Sequence, residues 1–316
     1  MQSLLFLVLA YLGATSAFYF SNVKVDCQVS QWSSWAGPGG FGEYERIRTI
    51  LAYPANGGMS CPPVSETKSA GRPLTVKETA KTFTDNFLRR TDQSTRPKRT
   101  PGHTRDLLIL MDSSGSISQT QFTQALKDLA ELLGLLCPSD PFLSKAIQYH
   151  QAALIQFSDK PKEEFFFGQR FPTTVLKNAI KNIKYMGSST CTGDAFKAAL
   201  NMFLSSNKGV RNDANVDKEV LILTDGESNC GYNAIKAASE LKAATFSPNA
   251  DKVQVYGLIV GLSSAQGQAE VKQYVSQPMN THLFSIPGFD TLTKLVVEVK
   301  NQTINYPCIP IQIPSG

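Results

Sequence analysis

The chain has 316 residues, of which 42% are hydrophobic and 18% are charged. This balance is typical of globular proteins and excludes disorder as the default state. The net charge is +5, and the segment between residues 70 and 105 carries nine Lys or Arg against three acidic residues. We therefore expect one basic segment rather than a basic surface, and no nucleic-acid partner.

Residues 1–17 are predicted to be a secretory signal peptide. An apolar run from Leu4 to Leu12 precedes an Ala-Thr-Ser-Ala sequence at 14–17, whose small residues suit a signal peptidase. A buried strand or a membrane anchor is the alternative, although the run is shorter than the roughly twenty residues that cross a bilayer. No later stretch of the sequence has the length and apolarity of a membrane span. We expect a secreted protein.

A small module is predicted over residues 25–70. Trp32 and Trp35 lie in one segment of it, and Arg46 and Arg48 lie in the next. Alternate residues of a strand point to the same face, so both arginines can face the two indole rings. Guanidinium and indole groups that interleave in this way form a cation–π ladder.

So small a module has little apolar core, and a disulfide between Cys27 and Cys61 would have to stabilise it. With these cysteines and its Trp-x-x-Trp and Arg-x-Arg motifs, the stretch resembles a thrombospondin type 1 repeat. The repeat is degenerate, because the Gly-rich residues 36–42 lack the cysteines that the family has there, and the closing cysteine is also absent. A disordered Gly-rich leader is the alternative.

Residues 71–104 are predicted to be a solvated basic linker, since they are rich in Thr, Lys and Arg. Two sharper interpretations stay open. The Arg96-Pro-Lys-Arg99 sequence resembles a furin-type processing site, at which cleavage after Arg99 would separate the two modules. The basic run could instead bind a sulfated glycosaminoglycan through its charge.

From residue 106 onward, apolar runs alternate with segments of helical periodicity. The predicted strands are 106–111, 152–157, 163–167, 220–223, 253–260 and 282–286. The predicted helices are 119–136, 174–183, 194–203, 232–245, 266–275 and 289–300. Strands that alternate with helices indicate an α/β fold with a doubly wound, mostly parallel sheet that helices cover on both faces. In such folds, ligands bind in the loops at the carboxyl ends of the strands.

Three of these loops carry side chains with carboxylate or hydroxyl oxygens. The predicted metal ligands are Asp112, Ser114, Ser116, Thr190 and Asp225. Such oxygens suit a hard divalent cation, which we expect to be Mg²⁺, or else Mn²⁺ or Ca²⁺. Thr192 is the alternative to Thr190, because both could face the ion. Asp112 and the two serines alone are equally typical of helix caps and turns, but the combination of three loops favours a metal site.

A cation that is held mainly by neutral hydroxyls keeps much of its charge and attracts a carboxylate from outside. Such a site binds a partner and needs neither a nucleophile nor a general base. No histidine is adjacent to Ser114 or Ser116, and no Gly-x-Ser-x-Gly motif occurs in the sequence. We therefore expect no enzymatic activity.

Residues 105–303 resemble a von Willebrand factor type A domain, the fold of integrin I domains, matrilins and collagen VI, and residues 304–316 form a tail after it. The sequences DLLILMDSSGSIS, GSSTCTGDAF and LILTDGES carry this resemblance, since they are similar to the metal-ion-dependent adhesion site of that family. The resemblance implies the same fold, and it implies a partner that supplies a carboxylate to the metal.

The resemblance also implies a role for each predicted ligand. Ser114 and Ser116 would contact the metal directly. Thr190 would contact it directly in the ligand-engaged form. Asp112 and Asp225 would act largely through bound water.

In a secreted chain, the six cysteines are expected to form three disulfides. On the resembled fold, Cys191 and Cys230 border the metal site, and a bond between them would bridge its rim. Cys137 and Cys308 follow helices that are neighbours in that fold, so we expect these two to pair. A buried free thiol at Cys191 is the alternative to the first bond.

We predict a secreted adhesion or extracellular-matrix protein that binds an Asp or Glu carboxylate of an extracellular partner through the metal. One alternative is a structural matrix or filament component in which the metal only stabilises the domain. Another is a glycosaminoglycan-binding protein that acts through the basic linker. Asn301 begins the sequon Asn-Gln-Thr and is a candidate glycosylation site.

Overall fold

The computed structural model describes residues 23–88, 104–135, 147–148, 150–169, 173–214, 216–246, 252–303 and 311–312. Several predictions therefore fall outside the described residues: the signal peptide, the processing site at Arg99, the Cys137–Cys308 disulfide and most of the tail. The chain divides into two compact units, one of Met1–Ser33 with Ile47–Ser65 and one of Ser34–Arg46 with Glu66–Gly316.

The described strands and helices have the following bounds. The strands are β1 (Gln28–Val29), β2 (Ala36–Gly39), β3 (Glu43–Ile47), β4 (Ile50–Ala52), β5 (Ser65–Ser69), β6 (Thr104–Asp112), β7 (Ile147–Gln148), β8 (Gln151–Phe157), β9 (Pro161–Phe165), β10 (Val216–Thr224), β11 (Gln254–Val260), β12 (Leu283–Ile286) and β13 (Ile311–Gln312). The α-helices are α1 (Val76–Phe83), α2 (Gln119–Gly134), α3 (Thr173–Lys181), α4 (Thr192–Leu204), α5 (Ala234–Ala243), α6 (Ala265–Tyr274), α7 (Met279–His282) and α8 (Phe289–Thr303). A π-helix spans Thr84–Leu88, and 3₁₀-helices span Phe167–Gln169 and Ser206–Lys208.

A six-stranded sheet forms the centre of the second unit. Its strand order is β12-β11-β10-β6-β8-β9, and all neighbours are parallel except β8 and β9. Every residue of β6 and β10 is buried, as expected for parallel strands that helices cover on both faces. The doubly wound, mostly parallel α/β fold predicted from the sequence is confirmed.

Alternate residues of β6 face two separate apolar layers. Leu107 and Ile109 point into a core that contains residues of α2, α3 and α8. Leu108 and Leu110 point into a second core that contains residues of α4, α5 and α6. Successive side chains of a strand point to opposite faces of the sheet, and this explains the alternation between the two cores. No helix among the described residues is long and apolar enough to cross a membrane.

The structure differs from the prediction over the first half of the predicted linker. Thr75 caps α1 through a reciprocal pair of hydrogen bonds with Glu78, and the helix continues into the π-helix. Phe83 and Phe87 are buried in the core that includes α8, and Phe83 contacts the ring of Phe284 on β12 at 5.0 Å between centroids. Apolar burial therefore makes residues 76–88 part of the second unit rather than a solvated linker.

Residues of the predicted thrombospondin-like module also belong to the second unit. Strands β2, β3 and β5 form a small sheet, and the turn after β2 lies along the edge strand β12. The Gly40 N–H donates to the Leu283 carbonyl at 3.1 Å, and the Ser285 hydroxyl donates to the Gly40 carbonyl at 2.8 Å. A Cβ on Gly39 would lie 2.5 Å from the Asn280 carbonyl oxygen, so this approach requires glycine. The predicted module over residues 25–70 is thus divided between the two units.

The aromatic and basic side chains predicted to interleave are in contact within each unit. In the first unit, Arg48 lies 4.2 Å from the ring centroid of Trp32, and Cys27 is bonded to Cys61. In the second unit, Trp35 is contacted by Arg46 at 4.7 Å and by Lys68 at 4.3 Å. These contacts are the expected cation–π pairs, while the thrombospondin resemblance itself stays a prediction.

Candidate metal site

The predicted ligands lie on loops at one edge of the six-stranded sheet. Asp112 is the last residue of β6, and Asp225 directly follows β10, which pairs with β6 in parallel. We call the loop after β6, with Ser114 and Ser116, the first loop, and the loop after β10, which begins at Asp225, the third loop. Thr190 lies just before α4 in the second loop, which pairs with the first loop through a bridge between Ser114 and Ser188. The carboxyl ends of parallel strands meet at the same edge, and this explains why positions more than a hundred residues apart are brought together.

A continuous chain of side-chain oxygens runs across the site. The Ser114 and Ser116 hydroxyl oxygens are 3.0 Å apart, and the Ser116 hydroxyl donates to Asp225 Oδ1 at 2.8 Å. Neighbouring ligands of an octahedral Mg²⁺ with bonds of about 2.0–2.1 Å are about 2.9 Å apart. Both oxygen–oxygen spacings are close to this edge length, and both also lie in the ordinary range of hydrogen bonds between oxygens.

Asp112 adjoins this chain of oxygens through Ser114 and is fully buried. Its Oδ1 accepts a hydrogen bond from the Ser114 N–H at 2.8 Å, and its Oδ2 accepts one from the Thr224 hydroxyl at 2.5 Å. Burial raises the pKa of Asp112 to about 6, and these hydrogen bonds only partly offset the effect. Burial likewise raises the pKa of Asp225.

Burial is the first cause of both pKa shifts, because the two ionised carboxylates lose solvation that a positive charge could replace. A divalent cation would supply this charge. Both oxygens of Asp112 already accept protein hydrogen bonds, so this residue suits an indirect role in which it orients Ser114 and holds bound water.

The two candidate threonines have different surroundings. Thr190 is fixed by its backbone, because its N–H donates to Asn229 Oδ1 at 2.8 Å and its carbonyl accepts from the Asn229 N–H at 3.0 Å. Thr192 is fully buried in the first turn of α4, and its hydroxyl lies near that of Tyr274 on α6. Thr190 therefore lies between the two Asp-bearing loops, whereas Thr192 faces the second core.

Backbone hydrogen bonds join the first and second loops. The Gly115 N–H donates to the Ser188 carbonyl at 2.6 Å, and the Gly187 N–H donates to the Ser113 carbonyl at 2.9 Å. The Tyr185 hydroxyl donates to the Ile117 carbonyl at 2.5 Å. These bonds hold the loop of Ser114 and Ser116 against the loop of Thr190 in one register.

A disulfide joins the second and third loops. Cys191, next to Thr190, is bonded to Cys230, five positions after Asp225. The bonded pair is the one expected from the sequence, and the Cys191 side is buried, with 4% of its surface exposed.

Sequence reasoning missed the residues that hold these ligands in place. Thr224 carries a signal that could have found it, because it is the last residue of its strand and directly precedes Asp225. Ser158 directly follows β8, the strand next to β6, and its hydroxyl donates to the Ser189 carbonyl at 3.0 Å. Asn229 carries no such signal, because its contact with Thr190 depends on the conformation of the loop.

Other predicted residues lie apart from the site. Asn301 is exposed near the end of α8, where the Thr303 hydroxyl of the same sequon donates to the Val299 carbonyl at 2.9 Å. Within the described residues, no group of three or more His, Cys, Asp or Glu side chains is placed to hold a metal. The hydroxyl-rich site at the sheet edge therefore stays the candidate metal site.

Known proteins similar to this chain share its central domain. Residues 106–298 match the family described as "von Willebrand factor type A domain". Mouse integrin alpha-X is 24% identical over 225 residues, which are 70% of this chain and 18% of the integrin. Human matrilin-1 is 27% identical over 191 residues, which are 60% of this chain and 34% of the matrilin. The matched region thus spans about a third or less of these relatives.

Two solved structures of proximal thread matrix protein 1 from the mussel byssus have the same fold. One is a second crystal form and the other has, in the words of its title, a "zinc occupied MIDAS motif". Each has a TM-score of 0.51 and 21% identity, and covers 62% of this chain and 47% of the other chain. The family match extends over most of the chain and includes the three loops just described. The chain belongs to the von Willebrand factor type A domain family.

Proposed function

We propose that this chain is a secreted adhesion or extracellular-matrix protein that captures a carboxylate of a partner protein through a divalent cation. The ligand set is Asp112, Ser114, Ser116, Thr190 and Asp225. The observation that carries the proposal is the chain of oxygens from Ser114 through Ser116 to Asp225, with spacings of 3.0 and 2.8 Å. These spacings match the edges of an octahedral shell.

The chemistry of the ligand set favours a binding role over a catalytic one. Three of the five ligands carry neutral hydroxyls, so a bound Mg²⁺, Mn²⁺ or Ca²⁺ would keep part of its positive charge. An Asp or Glu of a partner would neutralise it. The zinc-occupied motif of the byssus protein supports a divalent cation at this position of the fold. The integrin and matrilin relatives are consistent with a protein that has no enzymatic activity.

A structural matrix component is the second candidate. The similarity in fold to a matrix protein of the byssus favours it. In that case the cation would stabilise the domain, and assembly would not depend on a free coordination position. Chelation separates the two candidates, because only carboxylate capture must fail when the metal is removed.

The test is a pull-down from extracellular-matrix extract in Mg²⁺ or in EDTA, with the wild-type chain and the Asp112→Ala variant. We expect specific partners to be captured by the wild-type chain in Mg²⁺ and to be lost in EDTA and in the variant. Asp290→Ala serves as the matched control, since it removes an exposed carboxylate at the start of α8, outside the site. Partners that persist in EDTA and in Asp112→Ala would remove the metal from the mechanism.

A further inference from the structure

The loops that carry Thr190 and Asp225 are connected by a covalent bond as well as by hydrogen bonds. Cys191 is adjacent to Thr190 in sequence, and it is bonded to Cys230 of the loop that begins at Asp225. A ligand next to a cross-link can move only as far as the cross-link allows. The disulfide therefore limits how far these two ligands can separate.

The noncovalent connections between the same loops are few and partly exposed to water. Two bonds link Thr190 and Asn229, and the Ser228 hydroxyl donates to the Thr190 carbonyl at 3.2 Å. Asn229 is exposed, and a hydrogen bond of this kind contributes only about 1 kcal/mol net. Such contacts can exchange with water, whereas the disulfide cannot.

The third loop has no regular secondary structure to fix its shape. It runs from the end of β10 at Thr224 to the start of α5 at Ala234, and its residues from 225 to 233 are partly or fully exposed. Hydrogen bonds from outside the loop also hold it: the Ser116 hydroxyl donates to Asp225 Oδ1 at 2.8 Å, and the Tyr232 N–H donates to Asp194 Oδ1 at 3.0 Å. The Ser228 N–H donates to Glu270 Oε1 of α6 at the long distance of 3.4 Å. The bond from Cys191 to Cys230 is thus the strongest constraint described on this loop.

We propose that the Cys191–Cys230 disulfide is a positioning element that sets Thr190 and Asp225 at metal-binding distance before the ion arrives. Ligands that are already ordered lose less conformational entropy on binding, so the affinity for the metal rises. The inference rests on the proposed function, since it concerns the same metal site.

The first test compares the affinity for Mg²⁺, by calorimetric titration, of two double variants. Cys191→Ala/Cys230→Ala removes the bond at the site, and Cys27→Ala/Cys61→Ala removes the disulfide of the first unit as a matched control. We expect the first variant to bind Mg²⁺ about tenfold to a hundredfold more weakly, the usual cost of losing an outer support of a metal ligand. The control should bind like the wild-type chain. Equal affinity of a folded first variant and the wild-type chain would overturn the inference.

A second measurement needs no variant and keeps the inference testable if the double variant does not fold. If the bond favours metal binding, the metal must by linkage favour the bond by the same factor. In a glutathione redox buffer, saturating Mg²⁺ should lower the reduced fraction of Cys191–Cys230 and leave that of Cys27–Cys61 unchanged. Alkylation followed by peptide mass spectrometry measures both fractions.

The outcomes separate this inference from the proposed function. A wild-type chain that binds Mg²⁺ and shows no protection of Cys191–Cys230 would contradict the positioning role alone. A wild-type chain that binds no divalent cation would contradict both.

Discussion

Thr190 and Thr192 are two positions apart, and the fold gives them different surroundings. Thr190 is held by Asn229 between the loops of Ser116 and Asp225. Thr192 is fully buried and lies near Tyr274. The two threonines therefore have different partners: the backbone of Thr190 is bonded to Asn229, whereas the side chain of Thr192 lies next to Tyr274.

The two threonines give a matched pair of variants. Replacing Thr190 by Val keeps the shape of the side chain but removes the hydroxyl, so we expect the affinity for Mg²⁺ to fall by about tenfold or more. Thr192→Val should leave the affinity unchanged, since this hydroxyl lies in the core. Calorimetric titration measures both binding constants. A loss of affinity confined to Thr192→Val would show that Thr192 is the ligand and that the prediction for Thr190 is wrong.

Much of the candidate metal site could be predicted from the sequence, because its oxygen-bearing side chains directly follow predicted strands. Asp112 and Asp225 directly follow apolar runs, and a parallel sheet brings such positions to one edge. The support from Asn229 could not be predicted, because a contact between two irregular loops has no periodicity in the sequence. The different surroundings of Thr190 and Thr192 likewise could not be predicted, because they depend on where α4 begins.

At the scale of elements, α1 and the π-helix that follows it are the largest departure from the sequence prediction. Val76, Ala80, Phe83 and Phe87 recur at helical spacing, so a signal was present. The abundance of Thr, Lys and Arg around them favoured a linker instead. The basic side chains remain exposed and pair locally, as Lys81 does with Asp85, while the aromatic rings are buried.

Phe83 provides the test of this packing. Its side chain is fully buried, so Phe83→Ala is expected to lower the free energy of unfolding by about 3–5 kcal/mol. The control is Leu204→Ala at the end of α4, where 62% of the residue is exposed and the change should stay within about 0.5 kcal/mol. Urea denaturation followed by circular dichroism measures both, and a Phe83→Ala variant as stable as the control would show that α1 is not part of the core.

An ion-pair cluster links three helices on the same side of the sheet. Glu131 of α2 contacts Lys177 of α3 and Lys300 of α8, each at 2.8 Å. Hydrogen bonds from these two lysines lower the pKa of Glu131 to about 2. The carboxylate is partly exposed, and solvent screening keeps its contribution to stability below about 1 kcal/mol.

This cluster predicts a pH dependence with a definite sign. Since the folded-state pKa of Glu131 is lowered, its contribution is complete above the ordinary pKa and is lost as the pH falls from about 4.5 to about 2. Glu131→Gln should therefore be less stable than the wild-type chain at pH 6, and the difference should shrink at pH 3. Glu298→Gln on α8, outside the cluster, is the control. A difference between Glu131→Gln and the wild-type chain that is equal at both pH values would contradict the ion-pair account.

At the scale of the whole molecule, the family domain is larger than the region by which it is recognised. The family match begins at residue 106, but Phe83, Phe87 and the turn at Gly40 complete the second unit from outside it. A domain boundary placed just before β6 would remove side chains from the core and uncover the edge of β12. The apolar periodicity of the sequence predicts the strands of the sheet correctly. The boundary of the second unit could not be predicted in this way, because it depends on contacts between segments that are distant in the sequence.

A chain cut after Arg99 tests this arrangement directly. Both described disulfides have their two cysteines on the same side of the cut, so no described covalent bond would hold the pieces together. We nevertheless expect the two pieces to elute together in size-exclusion chromatography without denaturant, and to separate in urea. Prompt separation in native buffer would show that the buried rings contribute little to the association.

The buried rings of Phe83 and Phe87 thus change what proteolysis at the basic segment would accomplish. Instead of releasing a free amino-terminal fragment, the cut would produce a nicked heterodimer whose halves were synthesised as one polypeptide. The lifetime of that heterodimer would depend on how fast the two aromatic side chains leave their apolar pocket and the turn at Gly40 leaves the edge of β12, and a substitution of either ring would shorten it.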